Sequence, residues 1–184
     1  VERLKKSGQK ATPVAVQKLI AGLERKDAAL RAIEAVRAAG GTSHYHSVNL
    51  LDRDAVADVV DRIRESDGRV DVLLHAAGLD ISHFLPDKKP GEFDLVFDVK
   101  ATGWYHLLSS IGDMPLGAAV VFSSIAGRFG NGGQTDYSAA NELLAKSVSR
   151  FRSARPGTRG VVIDWTAWAD IGMASRGSIP NMMA

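Results

Sequence analysis

Four polar side chains in the second half of the chain are candidate site residues. Ser124 and Tyr137 stand thirteen residues apart, and Asn141 follows Tyr137 by four. A spacing of four is close to one helical turn, so Tyr137 and Asn141 project from one helix face. Lys100 lies in an apolar stretch of a predicted helix, where we expect its side chain to be buried and its pKa to be lowered.

Alternating strands and helices must position these side chains. Near-continuous apolar runs predict buried strands, and helical periodicity predicts the segments between them. Strands linked by helices favour right-handed crossovers and a parallel sheet, whose ligands bind beyond the carboxyl ends of the strands. The predicted strands are Tyr45–Leu50, Val70–His75, Ala118–Phe122 and Val161–Trp165, and the predicted helices between them are Asp54–Ile63, Pro90–Ile111 and Gln134–Phe151.

A glycine-rich loop, Gly130–Gly133, precedes the helix that carries Tyr137. Such a loop between strand and helix can hold a phosphate, but this spacing does not match the dinucleotide fingerprint. We therefore expect the loop to position Ser124 and Tyr137.

Composition narrows the classes of function. The chain has 184 residues, no cysteine, 45% hydrophobic residues and a formal net charge of +2. We predict one α/β domain without disulfides, without a membrane-spanning segment and without a nucleic-acid surface. The expected location is the cytoplasm.

Two histidines are candidate metal ligands. His44 and His46 alternate along a predicted strand and would point the same way. No third ligand accompanies them in the sequence, and we predict that the chain holds no metal.

The chemistry-bearing residues resemble those of the short-chain dehydrogenase/reductase superfamily, which has Ser and Tyr at this spacing. In that superfamily a lysine usually follows the tyrosine by four residues, where this chain has Asn141. The displacement of the lysine to position 100 is similar to the ketoreductase domains of polyketide and polyunsaturated fatty acid synthases. The resemblance covers about residues 29–173, and its further blocks are Leu74-His75-Ala76-Ala77-Gly78, Phe122-Ser123-Ser124, Gly133-Gln134-x-x-Tyr137-x-x-x-Asn141 and Trp165-x-x-Trp168 followed by Gly172-Met173.

The resemblance implies NADPH-dependent reduction of a β-ketoacyl thioester to a β-hydroxyacyl thioester. Tyr137 would be the general acid, and Lys100 would lower its pKa. Ser124 would donate a hydrogen bond to the substrate oxygen, and Asn141 would orient the lysine or a water. The implied partners are an acyl carrier protein that bears the substrate and the other domains of a parent synthase.

The resemblance also implies which residues contact the cofactor. Asn49 would meet the adenine through its amide oxygen, and the small residues after the second predicted strand would face the ribose. Residues at the end of the last strand would lie near the nicotinamide. The full predicted set is Asn49, Leu50, Ala77, Gly78, Trp165, Thr166 and Ala167.

The fold implied is a Rossmann-like doubly wound parallel sheet, truncated at both ends and carrying an N-terminal helical insertion. We assign residues 1–28 to the insertion and residues 29–184 to a partial ketoreductase domain. The family's glycine-rich diphosphate loop is missing from the sequence. We therefore expect this piece alone to bind NADPH poorly and to be inactive.

Two other interpretations stay open. The first is a non-catalytic structural or cofactor-sensing Rossmann-like module, although such modules normally lack the Ser, Tyr and Lys set. The second is a free-standing reductase of fatty acid or small-ketone metabolism, which mostly keeps lysine where this chain has Asn141.

Overall fold

A parallel sheet of three strands forms the centre of the larger of two compact units. The computed structural model describes residues 12–168, and the division between the units falls between Ser47 and Val48. Strands β1 (Val70–His75), β2 (Leu116–Ser124) and β3 (Arg159–Trp165) lie in that order, and each neighbouring pair is parallel. This arrangement confirms the predicted α/β, Rossmann-like fold class.

In its described residues, 12–47, the smaller unit contains one long helix, α1 (Pro13–Ala38). Thr12 caps it, since the Thr12 side chain accepts a hydrogen bond from the backbone amide of Ala15 at 3.2 Å. The helix ends before Gly40, whose φ of 82° suits glycine. It passes without a break through position 28, so the assignment of residues 1–28 to an insertion stays a prediction.

The described part of the larger unit contains four helices, of which three correspond to the predicted helices and the short helix Ile125–Phe129 was not predicted. The four helices are α2 (Arg53–Ser66), α3 (Pro90–Ile111), α4 (Ile125–Phe129) and α5 (Thr135–Ala154), and a short 3₁₀ helix covers Leu85–Asp87. Asp52 caps α2 in place of the predicted Asp54, because its carboxylate accepts from the amide of Ala55.

The core lies between one face of the sheet and three of these helices. Val60 of α2, Trp104 of α3 and Leu144 of α5 pack against Ala119 and Val121 of β2 in a single buried cluster. On the opposite face of β1, Val72 and Leu74 are 59% and 53% exposed. The expectation that β1 is buried on both faces is therefore not met among the described residues.

The predicted strand Tyr45–Leu50 is wrong. Residues 41–49 have no regular secondary structure, and none of the three strands pairs with them. A strand is defined by the hydrogen bonds to its neighbour, and this segment has no such neighbour in residues 12–168. Asn49 instead forms a turn into α2, in which its side-chain oxygen accepts from the amide of Leu51 at 3.1 Å.

Candidate active site

The carboxyl edge of the sheet places Ser124 beside the end of β3. Ser124 is the last residue of β2, and the register of the sheet sets it opposite Trp165. Its hydroxyl accepts a hydrogen bond from the backbone amide of Ala126 at 3.2 Å and so caps α4. A hydroxyl that accepts in this way still has its proton free to donate.

Tyr137 lies in the first turn of α5 and is only 9% exposed. Burial raises the pKa of its phenol, the side chains of Ser124 and Asn141 oppose that rise, and the charge of Asp80 adds to it. The net direction is upward, so the expectation of a lowered pKa is wrong for this structure. The phenol is consequently protonated at neutral pH, which is the state that an acid requires.

Lys100 occupies the interior beside that phenol. Its side chain lies on α3 and is buried, with the ammonium nitrogen 5.6 Å from the centre of the Tyr137 ring. The ammonium donates a hydrogen bond to the backbone carbonyl of Phe122 at 2.9 Å. Burial lowers the lysine pKa to about 8, which confirms the expected burial and its effect. The ammonium therefore lies over the ring of Tyr137.

Asn141 is fully buried one turn after Tyr137. Its Nδ2 donates to the backbone carbonyl of Tyr137 at 2.7 Å, and its backbone carbonyl accepts from the hydroxyl of Ser123 at 3.2 Å. Its Oδ1 is buried without a partner among the described residues. Asn141 thus anchors the start of α5 to β2 and leaves one acceptor available at the site.

The predicted cofactor contacts fall into three groups. Asn49, Thr166 and Ala167 are exposed, as is Gly78, whereas Ala77 and Trp165 are partly buried at the same carboxyl edge. Leu50 serves the core: its side chain lies close to Gly103, and its carbonyl lies 2.9 Å from the ring of His106.

His75 supports Lys100 from the backbone side, a role that the sequence analysis missed. The ring Nε2 of His75 lies 3.0 Å from the backbone carbonyl of Lys100, and the side chain is 2% exposed. Burial lowers the pKa of His75 to about 4, and the nearby Lys100 charge acts in the same direction. The ring is therefore neutral at pH 7 and donates through Nε2 to that carbonyl.

We expect His75 to make the protein acid-sensitive. Its pKa is about 4 in the folded state against 6.5 ordinarily, so the unfolded chain binds the extra proton between these values. The free energy of unfolding should fall by on the order of 3 kcal/mol as the pH drops from 6.5 to 4. Urea denaturation of the parent and of His75→Gln across this range measures the contribution. Equal pH slopes for the two proteins would contradict it.

Gly78 packs against the Lys100 side chain, a second contact that the sequence analysis missed. A Cβ at position 78 would stand 2.8 Å from Cε of Lys100 and 3.2 Å from its ammonium nitrogen. Those atoms are the far end of a flexible side chain, so a methyl group would displace the ammonium more readily than the backbone.

Gly78→Ala is expected to lower the kcat of a reaction that depends on the position of the Lys100 ammonium by about 10- to 100-fold, because small displacements of positioned groups carry penalties of that size. The free energy of unfolding should change by less than about 1 kcal/mol, since only a side-chain end moves. Steady-state kinetics and urea denaturation give the two numbers. Gly91→Ala in the first turn of α3 is the matched control, because a Cβ there meets nothing within 4 Å. A Gly78→Ala protein with parental kcat would refute the role of this contact.

The described residues were compared with the requirements of a metal site and of a membrane-spanning helix. Residues 12–168 contain no cluster of three or more His, Cys, Asp or Glu side chains that could hold a metal ion. His44 and His46 are exposed and lie outside any strand. None of the described helices has the length and apolar character needed to cross a membrane.

Comparison with known proteins decides the family. The model of the KR domain family matches residues 11–170. The chain belongs to the KR domain family. The match confirms the predicted resemblance to ketoreductase domains, and with it the predicted oxidoreductase family.

Relatives of this KR domain are parts of much larger proteins. The chain is 37% identical over 143 residues to a polyunsaturated fatty acid synthase polypeptide of Thraustochytrium sp., covering 76% of this chain and 5% of that protein. It is 35% identical over 136 residues to polyketide synthase GfsA of Streptomyces halstedii, covering 74% and 2%. The crystal structure of a ketoreductase domain from the bacillaene assembly line aligns with a TM-score of 0.70 at 31% identity, covering 77% of this chain and 35% of that one.

The Gly172-Met173 block and the whole tail after Trp168 lie outside the described residues. Among the described residues, the structure brings Ser124, Tyr137, Asn141 and Lys100 together at one edge of the sheet. It places Asn49 in a turn before α2, where its side-chain oxygen already accepts one hydrogen bond.

Proposed function

We propose that this KR domain reduces the β-keto group of an acyl thioester to a β-hydroxyacyl thioester, with NADPH as the reductant. The observation that carries the proposal is the convergence of a buried, protonated Tyr137 with the Lys100 ammonium and the Ser124 hydroxyl. These groups lie on three different elements that meet at the carboxyl edge of the sheet, where α/β folds bind ligands.

The side chains divide the work of stabilising an alkoxide. As the ketone carbon accepts a hydride, negative charge develops on its oxygen, and the O–H of Tyr137 donates the proton that completes the alcohol. The hydroxyl of Ser124 donates a hydrogen bond to the same oxygen while the charge develops. Lys100 supplies the positive charge that makes the loss of the phenolic proton less costly. Its hydrogen bond to the Phe122 carbonyl holds that charge in place.

The residues at this edge fit a nicotinamide cofactor. The Trp165 ring nitrogen is a buried donor without a partner among the described residues, and Asn141 offers a buried acceptor. Ala77 and Gly78 after β1, and Thr166 and Ala167 after β3, expose small groups that permit close approach. When bound, the cofactor supplies the hydride. Asn49 is the proposed contact for the adenine.

The proposed setting is a multidomain synthase in the cytoplasm. Supporting this, the curated relatives named above are synthases of which the chain spans only a few per cent. The substrate would be presented on an acyl carrier protein, and other domains of the same protein would be neighbours.

The proposal is tested by following absorbance at the NADPH band in the protein that carries this sequence, with a β-ketoacyl thioester surrogate as substrate. We expect NADPH consumption matched by formation of the β-hydroxyacyl thioester, and much less consumption with NADH. Binding of NADPH without turnover of any ketone would favour the cofactor-sensing alternative.

A further inference from the structure

A buried ion pair lies beside the candidate active site. The ammonium nitrogen of Lys88 is 2.7 Å and 2.6 Å from the two carboxylate oxygens of Asp136. The side chains of Lys88 and Asp136 are 2% and 0% exposed. Forty-eight residues separate the partners in sequence, so the contact is purely tertiary and no local motif predicts it.

Each partner also holds a backbone group next to Tyr137. The ammonium of Lys88 makes a third hydrogen bond, to the backbone carbonyl of Ile81 at 2.7 Å. Oδ1 of Asp136 accepts from the backbone amide of Tyr137 at 2.9 Å. One cluster of bonds therefore connects the loop after β1 to the residue that carries the phenol.

The loop held in this way forms one wall around the Tyr137 ring. Leu79 and Ile81 pack against the buried cluster that contains Tyr137, Val96 and Ala126. A separate bond reinforces the same contact, because the amide of His83 donates to the carbonyl of Gly133 at 3.0 Å, just before α5.

Folding stability alone does not account for a charged pair at this place. Removing two charges from water is costly, and apolar side chains of similar volume often give equal or greater stability. The pair contributes directional hydrogen bonds. The Lys88 ammonium has three N–H donors, and three oxygen acceptors lie within hydrogen-bonding distance. Such a set fixes the relative position of loop and helix more narrowly than apolar packing does.

We propose that Lys88 and Asp136 are positioning residues, which hold Tyr137 and the Leu79–Ile81 wall in register for proton transfer. This inference rests on the proposed function for its kinetic consequence, but its structural consequence is measurable without turnover. Neither side chain is assigned a place against substrate or cofactor.

The test uses the double variant Lys88→Met with Asp136→Asn in the protein that carries this sequence. It removes both charges, leaves no unpaired charge, and keeps an oxygen that can accept from the Tyr137 amide. We expect kcat to fall by about 100-fold with KM changed less than threefold, as misplacement of a reacting group predicts. The exposed pair Lys146 and Glu142 on the same helix provides the control, because Lys146→Met with Glu142→Gln makes the same chemical change away from the site.

A second readout separates this inference from the proposed function. Carbon-13 labelling of the tyrosine phenol carbons of the same protein gives a set of resonances to which this chain contributes three, and Tyr137→Phe identifies the one of interest. The double variant should shift or broaden the Tyr137 resonance, and the control pair should not. That result would stand even if the parent reduced no ketone.

Parental kcat together with an unmoved Tyr137 resonance would overturn the proposal. Should the double variant fail to fold, Lys88→Gln with Asp136→Asn also leaves no unpaired charge, retains polar side chains at both positions, and must still lower kcat at unchanged KM. Lys88→Arg retains a cation opposite Asp136 and should recover the resonance and most of kcat relative to the double variant. A Lys88→Arg protein no better than the double variant would count against the ion pair as the active feature.

Discussion

Tyr137→Phe is expected to lower kcat for ketone reduction by about 10²- to 10⁴-fold, the usual contribution of a positioned general acid. The ring remains and still fills its place against Val96 and Ala126. Burial of Tyr137 is the reason for its raised pKa, so the removed group is a proton donor over the whole neutral range. Single-turnover oxidation of NADPH in the presence of a β-ketoacyl thioester surrogate measures the effect on the chemical step.

The matched control is Tyr105→Phe on α3, where the tyrosine is 63% exposed. Its kcat should equal that of the parent. Both variants should keep the parental far-ultraviolet circular dichroism. If Tyr137→Phe retained more than about a tenth of the parental rate, Tyr137 could not be the acid, and the site would need another proton donor.

Lys100→Met is expected to move activity and stability in opposite directions. Loss of the buried cation should lower kcat by about 100-fold or more, because the phenolate left after proton transfer loses its counter-charge. Burial lowers the pKa of Lys100 from 10.5 to about 8, so the charged lysine destabilises the folded state at neutral pH. Methionine removes that penalty and loses the bond to the Phe122 carbonyl, for a net gain of about 1–2 kcal/mol in the free energy of unfolding.

The pH dependence gives an independent check on Lys100. Its folded pKa lies below its unfolded value, so the unfolded chain binds more protons between pH 8 and 10.5 and parental stability should rise across that window. The rise should be absent from Lys100→Met and present in Lys146→Met, whose lysine is 70% exposed. A Lys100→Met protein that is both less stable and fully active would contradict the proposed role.

The positions of the strands and the residue types of the site could be predicted because both are local properties. Apolar runs in Val70–His75 and Val161–Trp165 predicted strands that the structure contains at the same or nearly the same bounds. Tyr137 and Asn141 share a helix face because their spacing matches the helical repeat. Burial of Lys100 followed from the apolar residues around it on a single helix.

Other features depended on which segments meet in space. The predicted strand Tyr45–Leu50 had the right composition, but a strand also needs a neighbour, and residues 12–168 supply none. The direction of the Tyr137 pKa was predicted wrongly, because it depends chiefly on how deeply the fold buries the phenol.

The sequence by itself therefore determined the order of elements, the fold class and the candidate Ser, Tyr, Lys and Asn set. Only the tertiary structure decided what surrounds that set: the Lys88–Asp136 pair, the neutral His75 below Lys100, and the Gly78 contact with its side chain. The physical reason is the distance along the sequence over which each effect acts. Backbone periodicity acts over a few residues, whereas ion pairing, burial and steric contact act between any groups that the fold brings within a few ångströms.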